Sequence, residues 1–181
     1  MPLNQPLQSH VQLMAHYNQW MNQKIYDAAA NLPEETLKEN RGAFFGSILA
    51  TLNHLAVADT IWLKRLSSIF PPAWELEDAK QLPHIQALDT TLFTDLTSLR
   101  DYRHKLDAML QLLGNKAQDE ALTTFVTYSD TKGNQHNKPL FSLLMHIFNH
   151  QTHHRGQITT LFSQVGVDVG VTDLNALVPS T

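Results

Sequence analysis

Apolar residues recur at spacings of three and four in four stretches of the chain. In the first, over residues 7–32, Val11, Met14, Tyr17, Met21, Ile25 and Ala28 form one stripe. Such a stripe marks an amphipathic helix with one buried face. Asn31-Leu32-Pro33 ends it, because a proline disfavours the helical conformation of the residue before it. The second stretch opens at Ser47, an N-cap candidate, and carries Ile48, Leu52, Leu55, Ala58, Ile61, Trp62 and Leu66 before Phe70-Pro71-Pro72. The third, over residues 88–113, carries Leu92, Leu96, Leu99, Leu106, Met109 and Leu113, with Gly114-Asn115 as its C-terminal stop. The fourth opens with Pro139, favoured in a first turn, and runs to Gln164 or Val165, closing at Gly166. Its inner stripe is Leu143, Ile147, His150, His154, Gln157 or Ile158, and Leu161.

Between the third and fourth stretches the pattern changes. Leu122-Thr-Thr-Phe-Val-Thr-Tyr128 is rich in β-branched and aromatic residues, and Asp130-Thr-Lys-Gly-Asn134 is a turn cluster. A short hairpin or extended crossing is expected there. Residues 72–83 read as an irregular connection, and a short helix is expected around Asp173–Leu177. Four long helices with a long connection before the last predict an all-α four-helix bundle, in a single domain over residues 1–181.

Composition narrows the chemistry. With 13 Lys+Arg against 17 Asp+Glu the formal net charge is -4, which argues against a general nucleic-acid binder. There is no cysteine. That removes disulfides, a cysteine nucleophile, thiolate-held zinc and iron–sulfur clusters. The opening MPLNQPLQSH has neither the basic nor the apolar region of a leader. No stretch approaches the roughly 18 apolar residues of a membrane span. A soluble, cytoplasmic protein is expected, with no membrane partner.

Ten histidines stand out, and four of them, His146, His150, His153 and His154, fall in the last helix. His150 and His154 are one turn apart on one face, a spacing that can clamp one metal ion. The pair also fits two ordinary histidines, exposed or hydrogen-bonded in the core. A third ligand favours the metal, and His54, in Thr51-Leu-Asn-His-Leu-Ala56, faces the bundle from the second helix. Gln151 stands where a zincin places its general-base glutamate. The glutamates, at 34, 35, 39, 75, 77 and 120, avoid the helix centres that a di-iron carboxylate bundle would use. A mononuclear site on His54, His150 and His154 remains, with zinc, nickel or iron as the divalent ion and room for water or a substrate atom.

The surrounding residues carry weaker expectations. Asn53, Asp59 and Asn149 are candidates to accept from imidazole N–H groups, as ligating histidines require, against a role as ordinary helix polar residues. Gly156 is expected to pack closely against another helix in preference to making room beside the metal. Arg155 is read as a solvated or salt-bridged surface residue, with a substrate-carboxylate anchor as the alternative. His153 is expected to be exposed or interfacial, and His146 could extend the cluster. The tryptophans are read as core or interface filling. His10, His16, His84, His104 and His136 receive no role.

The run His146-Ile-Phe-Asn-His-Gln-Thr-His-His-Arg-Gly-Gln157, with Asn53-His-Leu55, Trp62-Leu63 and the Asp-Leu of the tail, resembles the DinB-like (YfiT-like) metalloenzymes. The resemblance covers nearly the whole chain, and His-His-Arg-Gly-Gln is its most specific part. It implies an up-down-down-up helix order, metal ligands at His54, His150 and His154, no ligand role for His146, and a homodimer. The family name refers to damage-inducible expression and implies no DNA contact. Several relatives are thiol-dependent transferases or isomerases using mycothiol or bacillithiol. The expectation is therefore an S-transferase acting on electrophilic small molecules with a low-molecular-weight thiol cosubstrate. A metal-dependent hydrolase and a non-catalytic metal-binding stress-response module are the alternatives.

Overall fold

Each of the four periodic stretches is a long helix in the computed structural model, which describes residues 6–180. Residues 1–5, half of the segment read for a leader, and residue 181 at the other end of the expected domain lie outside the described residues. The elements in chain order are α1 (Leu7–Ala30), α2 (Glu34–Lys38), α3 (Ile48–Leu66), α4 (Glu77–Gln81), α5 (Leu96–Lys116), α6 (Asp119–Leu122), β1 (Phe125–Ser129), β2 (Gln135–Pro139) and α7 (Leu140–Ser163). Short 3-10 turns occupy Pro72–Trp74 and Leu174–Leu177. The fold is mostly helical with one small two-stranded sheet. No described helix is long and apolar enough to cross a membrane.

The sequence signals act locally as expected at several joints. Ser47 caps α3, its Oγ accepting from Ala50 N at 3.1 Å. The expected hairpin is an antiparallel pair in which Phe125 faces Pro139 and Ser129 faces Gln135. Its turn is built by Asp130, whose Oδ1 accepts from the backbone N–H of Lys132 (2.8 Å) and Asn134 (2.9 Å). Gly133 supplies the left-handed residue the turn requires, at φ 84°.

The third helix departs from its predicted bounds. It starts at Leu96, capped by Asp95, whose carboxylate accepts from Ser98 N at 2.8 Å. Residues 88–95 are not helical, because Asn53 of α3 claims their backbone. Asn53 Oδ1 accepts from Leu92 N (2.8 Å) and Phe93 N (3.0 Å), and its Nδ2 donates to Phe93 O (3.0 Å). At the other end Gly114 is no stop: α5 continues to Lys116. A Cβ on Gly114 would lie 3.5 Å from the Cα of Gln12, so this glycine lets α1 and α5 approach closely. The expected irregular connection at 72–83 contains the 3-10 turn and α4.

The core is apolar and continuous, with Val11, Met21 and Ile25 of α1 meeting Leu52, Leu55 and Leu63 of α3, Leu99 and Leu106 of α5 and Leu144, Ile147 and Ile158 of α7. α1 packs on α5 and α7, and α3 packs on the same two. At the centre sits a buried polar cluster with residues from all four. Arg103 Nη2 of α5 is 2.7 Å from Asp59 Oδ2 of α3 and 3.1 Å from Asp107 Oδ1. Asn18 and Asn22 of α1 donate to the same Asp107 oxygen at 3.1 and 2.9 Å. Arg155 of α7 donates to the Oδ1 atoms of Asn18 and Asn22. Two arginines and two aspartates thus balance in charge where solvent cannot reach them. Arg155 is only 2% exposed, which corrects the surface reading of this residue. It also removes the substrate-anchor alternative, since its guanidinium points into the core. Asp59 pairs with Arg103 and accepts from no imidazole among the described residues.

Candidate metal centre

α3 and α7 run antiparallel, which brings His54 of one opposite His150 and His154 of the other. The α7 pair follows from helix geometry. Four residues advance about 400° at roughly 100° each, so the rings lie one turn apart and meet edge-to-face, 4.4 Å between centroids. Arg155 fixes the rotation of α7, because drawing it into the core turns the adjacent His154 and the preceding turn toward α3. His54 Nε2 lies 3.1 Å from His150 Nε2. One ligand nitrogen from each of the three residues lies within 4.8 Å of the other two. Around a tetrahedral zinc with Zn–N of about 2.0–2.1 Å, two nitrogens sit about 3.3 Å apart. The first pair is therefore already at ligand spacing, and the third is within a side-chain adjustment of it.

The hydrogen bonds fix which nitrogens face one another. His54 Nδ1 meets the Leu88 carbonyl at 2.9 Å. A carbonyl only accepts, so Nδ1 carries the proton and Nε2 presents its lone pair. His154 Nδ1 donates to Gln157 Oε1 at 2.8 Å, with the same consequence. These are the outer partners that orient a ligating imidazole. Phe45 stacks on His54 with ring centroids 3.8 Å apart and meets the His154 ring edge-on at 5.5 Å.

Electrostatics keeps the trio uncharged. Burial, followed by the neighbouring imidazoles His154, His54, His146 and His153, pushes His150 down to about 3. Burial also lowers His54 against its bond to Leu88, and lowers His154 against its bond to Gln157. Three neutral imidazoles with ring nitrogens this close are a donor set for a cation, and a divalent ion fits it. His54 and His154 are buried while His150 is half-buried, so the site opens toward solvent on the His150 side. Among the described residues the group has three members and no carboxylate.

The neighbours expected from sequence are only partly where they were placed. Neither Asn53 nor Asn149 accepts from an imidazole: Asn53 holds the 92–93 backbone, and Asn149 is exposed and donates to Met145 O. Their places are taken by the Leu88 carbonyl and Gln157. No pattern marks a backbone carbonyl in advance, whereas Gln157 was legible as the residue three beyond His154 on the same face. His153 is exposed, 3.2 Å from Gln157 Nε2. His146 is exposed, its ring 5.2 Å from Trp62 and 6.2 Å from His150. Gln151, at the zincin glutamate position, is fully buried and donates to Leu55 O.

Gly156 corrects a further expectation. It is exposed, and a Cβ there would meet nothing within 4 Å, so it neither packs on a helix nor lines the histidine trio. Gly156→Ala is therefore expected to stabilise α7 by about 0.5–1 kcal/mol, raising Tm by about 1–4 °C with metal stoichiometry unchanged. A thermal melt with metal analysis checks it; a loss of metal would mean that the glycine serves the site. Gln157→Leu has the opposite signature. Removing the acceptor for His154 Nδ1 is expected to weaken metal binding about 10–100-fold with little effect on apo-protein Tm, as measured by competition with a chromophoric chelator.

Two clefts lie nearby. One of about 240 Å³ is lined by Phe44, Gln157 and Thr160 among others, and Phe44 is 87% exposed at its rim. The other, of about 640 Å³, is lined in part by residues 83–86, just upstream of Leu88.

A sequence model of the DinB family matches residues 5–180. The chain is similar to Protein DinB of Bacillus subtilis, with 29% identity over 165 residues that cover 87% of each protein. Its fold is similar to the crystal structure of a DinB-like protein from Bacillus cereus, with a TM-score of 0.56 and 24% identity over 84% of this chain and 91% of that one.

Proposed function

The chain belongs to the DinB family, and on that premise we propose that it is a metal-dependent S-transferase with a mononuclear site on His54, His150 and His154. The observation that carries the reading is the convergence of three neutral imidazoles, with His54 and His150 presenting Nε2 atoms 3.1 Å apart. The scaffold in this reading is one domain, an up-down-down-up four-helix bundle. Supporting contacts pair Asn18 with Asp107, Asp59 with Arg103 and Asn18 with Arg155. The protein acts on a small molecule, as a homodimer in the cytoplasm.

A divalent zinc, nickel or iron ion held by the trio supplies positive charge that lowers the pKa of a thiol beside it. The chain's own residues do the rest. Leu88 and Gln157 hold two rings in the tautomer that leaves Nε2 free. Phe45 shields His54 from water, and Phe44 gives an electrophile an apolar surface. The half-buried His150 side admits the reactants. With no cysteine in the chain, the sulfur nucleophile arrives with the cosubstrate. In the overall reaction the thiol S–H proton passes to solvent, a C–S bond forms, and a carbon–halogen bond breaks with release of halide.

The test incubates metal-loaded protein with glutathione, bacillithiol or mycothiol and a chlorinated aromatic. Thioether and chloride are expected in equal amounts, and chelator is expected to stop their formation. No conjugate with any of the three thiols would overturn the transferase reading.

A further inference from the structure

The 640 Å³ cleft lies between the second half of α3, the 83–86 segment and the tip of the hairpin. Lys64 and Arg65 bring two cations to its wall, and His84 adds a third basic side chain. Among the described residues neither Lys64 nor Arg65 forms an ion pair. Lys64 Nζ donates to a backbone carbonyl, that of Lys80. Arg65 lies against the edge-to-face pair of Trp62 and Tyr128, its guanidinium carbon 4.6 Å from the Trp62 ring centre and 5.2 Å from that of Tyr128. Contact with both rings restricts the planar fork before any ligand arrives.

The one carboxylate on the lining, Asp130, offsets these charges in part but forms no ion pair with Lys64 or Arg65. Asp130 Oδ1 accepts from Lys132 N and Asn134 N, and its Oδ2 accepts from Asn134 Nδ2 and His136 Nε2 at 3.0 Å each. Its oxygens are consumed by the hairpin turn. A cleft of this size matches small-molecule sites, and two cations against one carboxylate leave its wall net positive, which favours an anion.

The cleft and the histidine trio share α3. His54, Ala58, Ile61 and Arg65 share one face of α3, and eleven residues at about 1.5 Å each separate His54 from Arg65 by about 16 Å. Trp62 lies against Arg65 and has its ring 5.2 Å from that of His146, which is itself 6.2 Å from His150.

We propose that this cleft binds the anionic end of a small organic molecule, a carboxylate or phosphate held by Arg65 with Lys64 beside it, whose other end extends along α3 toward His54 and His150. The anion site stands without the metal; only its role as a substrate subsite rests on the transferase reading.

Isothermal titration calorimetry of the metal-loaded protein with succinate and with inorganic phosphate tests it. Saturable binding of at least one anion at millimolar concentration or below is expected, and the tighter of the two names the headgroup. Arg65→Gln is expected to weaken it about tenfold or more, since charge-assisted bidentate bonds are worth that much. Arg65→Lys, which keeps the charge and loses the fork, is expected to fall between. Lys64→Gln gives a second, independent loss if Arg65→Gln fails to fold. His150→Ala is expected to bind the anion as wild type does, even if the transferase reading fails. No saturation with either anion, binding that neither the Arg65 nor the Lys64 variant alters, or binding lost in His150→Ala would overturn the proposal.

Discussion

His150→Ala is expected to lose stoichiometric metal while remaining folded, with affinity reduced at least about 100-fold. The reduction exceeds the 10–100-fold that follows removal of an outer partner of a ligand, because here a donor itself is removed. His54 and His154 remain, but two imidazoles without a carboxylate or thiolate do not close a mononuclear site. Folding survives because His150 is half-buried and its imidazole, held neutral by burial and its neighbours, makes little contribution to the core. The loss has a thermal readout. A ligand at 1,000 times its Kd stabilises the folded state by about 4 kcal/mol, which for a chain of this length raises Tm by about 10 °C. Wild type is expected to show that rise when zinc or nickel is added, and His150→Ala to show almost none. Elemental analysis of both proteins, purified without chelator, gives the stoichiometry directly. Full retention of metal by the variant would remove the trio as the site.

The parts of this site that were legible in the sequence are those set by helix periodicity. An i, i+4 pair shares a face whatever the packing, and His54 could be placed opposite because its own stripe pointed inward. What escaped depended on contacts between distant segments. The stripe that begins at Leu92 continues the period of α5, yet Asn53 takes the backbone of Leu92 and Phe93 out of helical geometry and thereby brings Leu88 to His54. Arg155 reads as a surface residue by charge alone. Only the companions Asn18, Asn22 and Asp107, drawn from two other helices, make its burial affordable. The two helical glycines both depart from their expected roles for the same reason. Gly114 sits where α1 crosses α5, and Gly156 faces outward, but neither crossing point is encoded near the glycine itself.

The same buried companions predict the largest effect on stability. Arg103→Met is expected to destabilise the protein by about 3–5 kcal/mol, the cost of leaving a buried charge without its partner, and to lower Tm by about 6–20 °C. Methionine replaces most of the volume, so the loss reports charge more than packing. Asp59, fully buried, is then left without a cation, and Asp107 keeps only Asn18, Asn22 and the more distant Arg155. The pH dependence identifies the cause. Burial already raises Asp107 above the ordinary carboxylate value, against the opposing pull of Arg103. Without Arg103 the folded-state value of Asp107 rises further, so the folded state holds a proton that the unfolded chain has released. Stability of the variant is then lost as pH rises through that value and recovered as pH falls. The gap to wild type is expected to narrow between neutral pH and about pH 5. Replacing both partners, as in Arg103→Met with Asp59→Leu, is expected to recover much of the loss, because an apolar pair of similar volume leaves no orphaned charge on that side. Urea titrations of wild type, both single variants and the double variant at neutral and acid pH measure this coupling. An Arg103→Met deficit that is the same at both pH values and in both Asp59 backgrounds would assign the role of Arg103 to packing instead of charge.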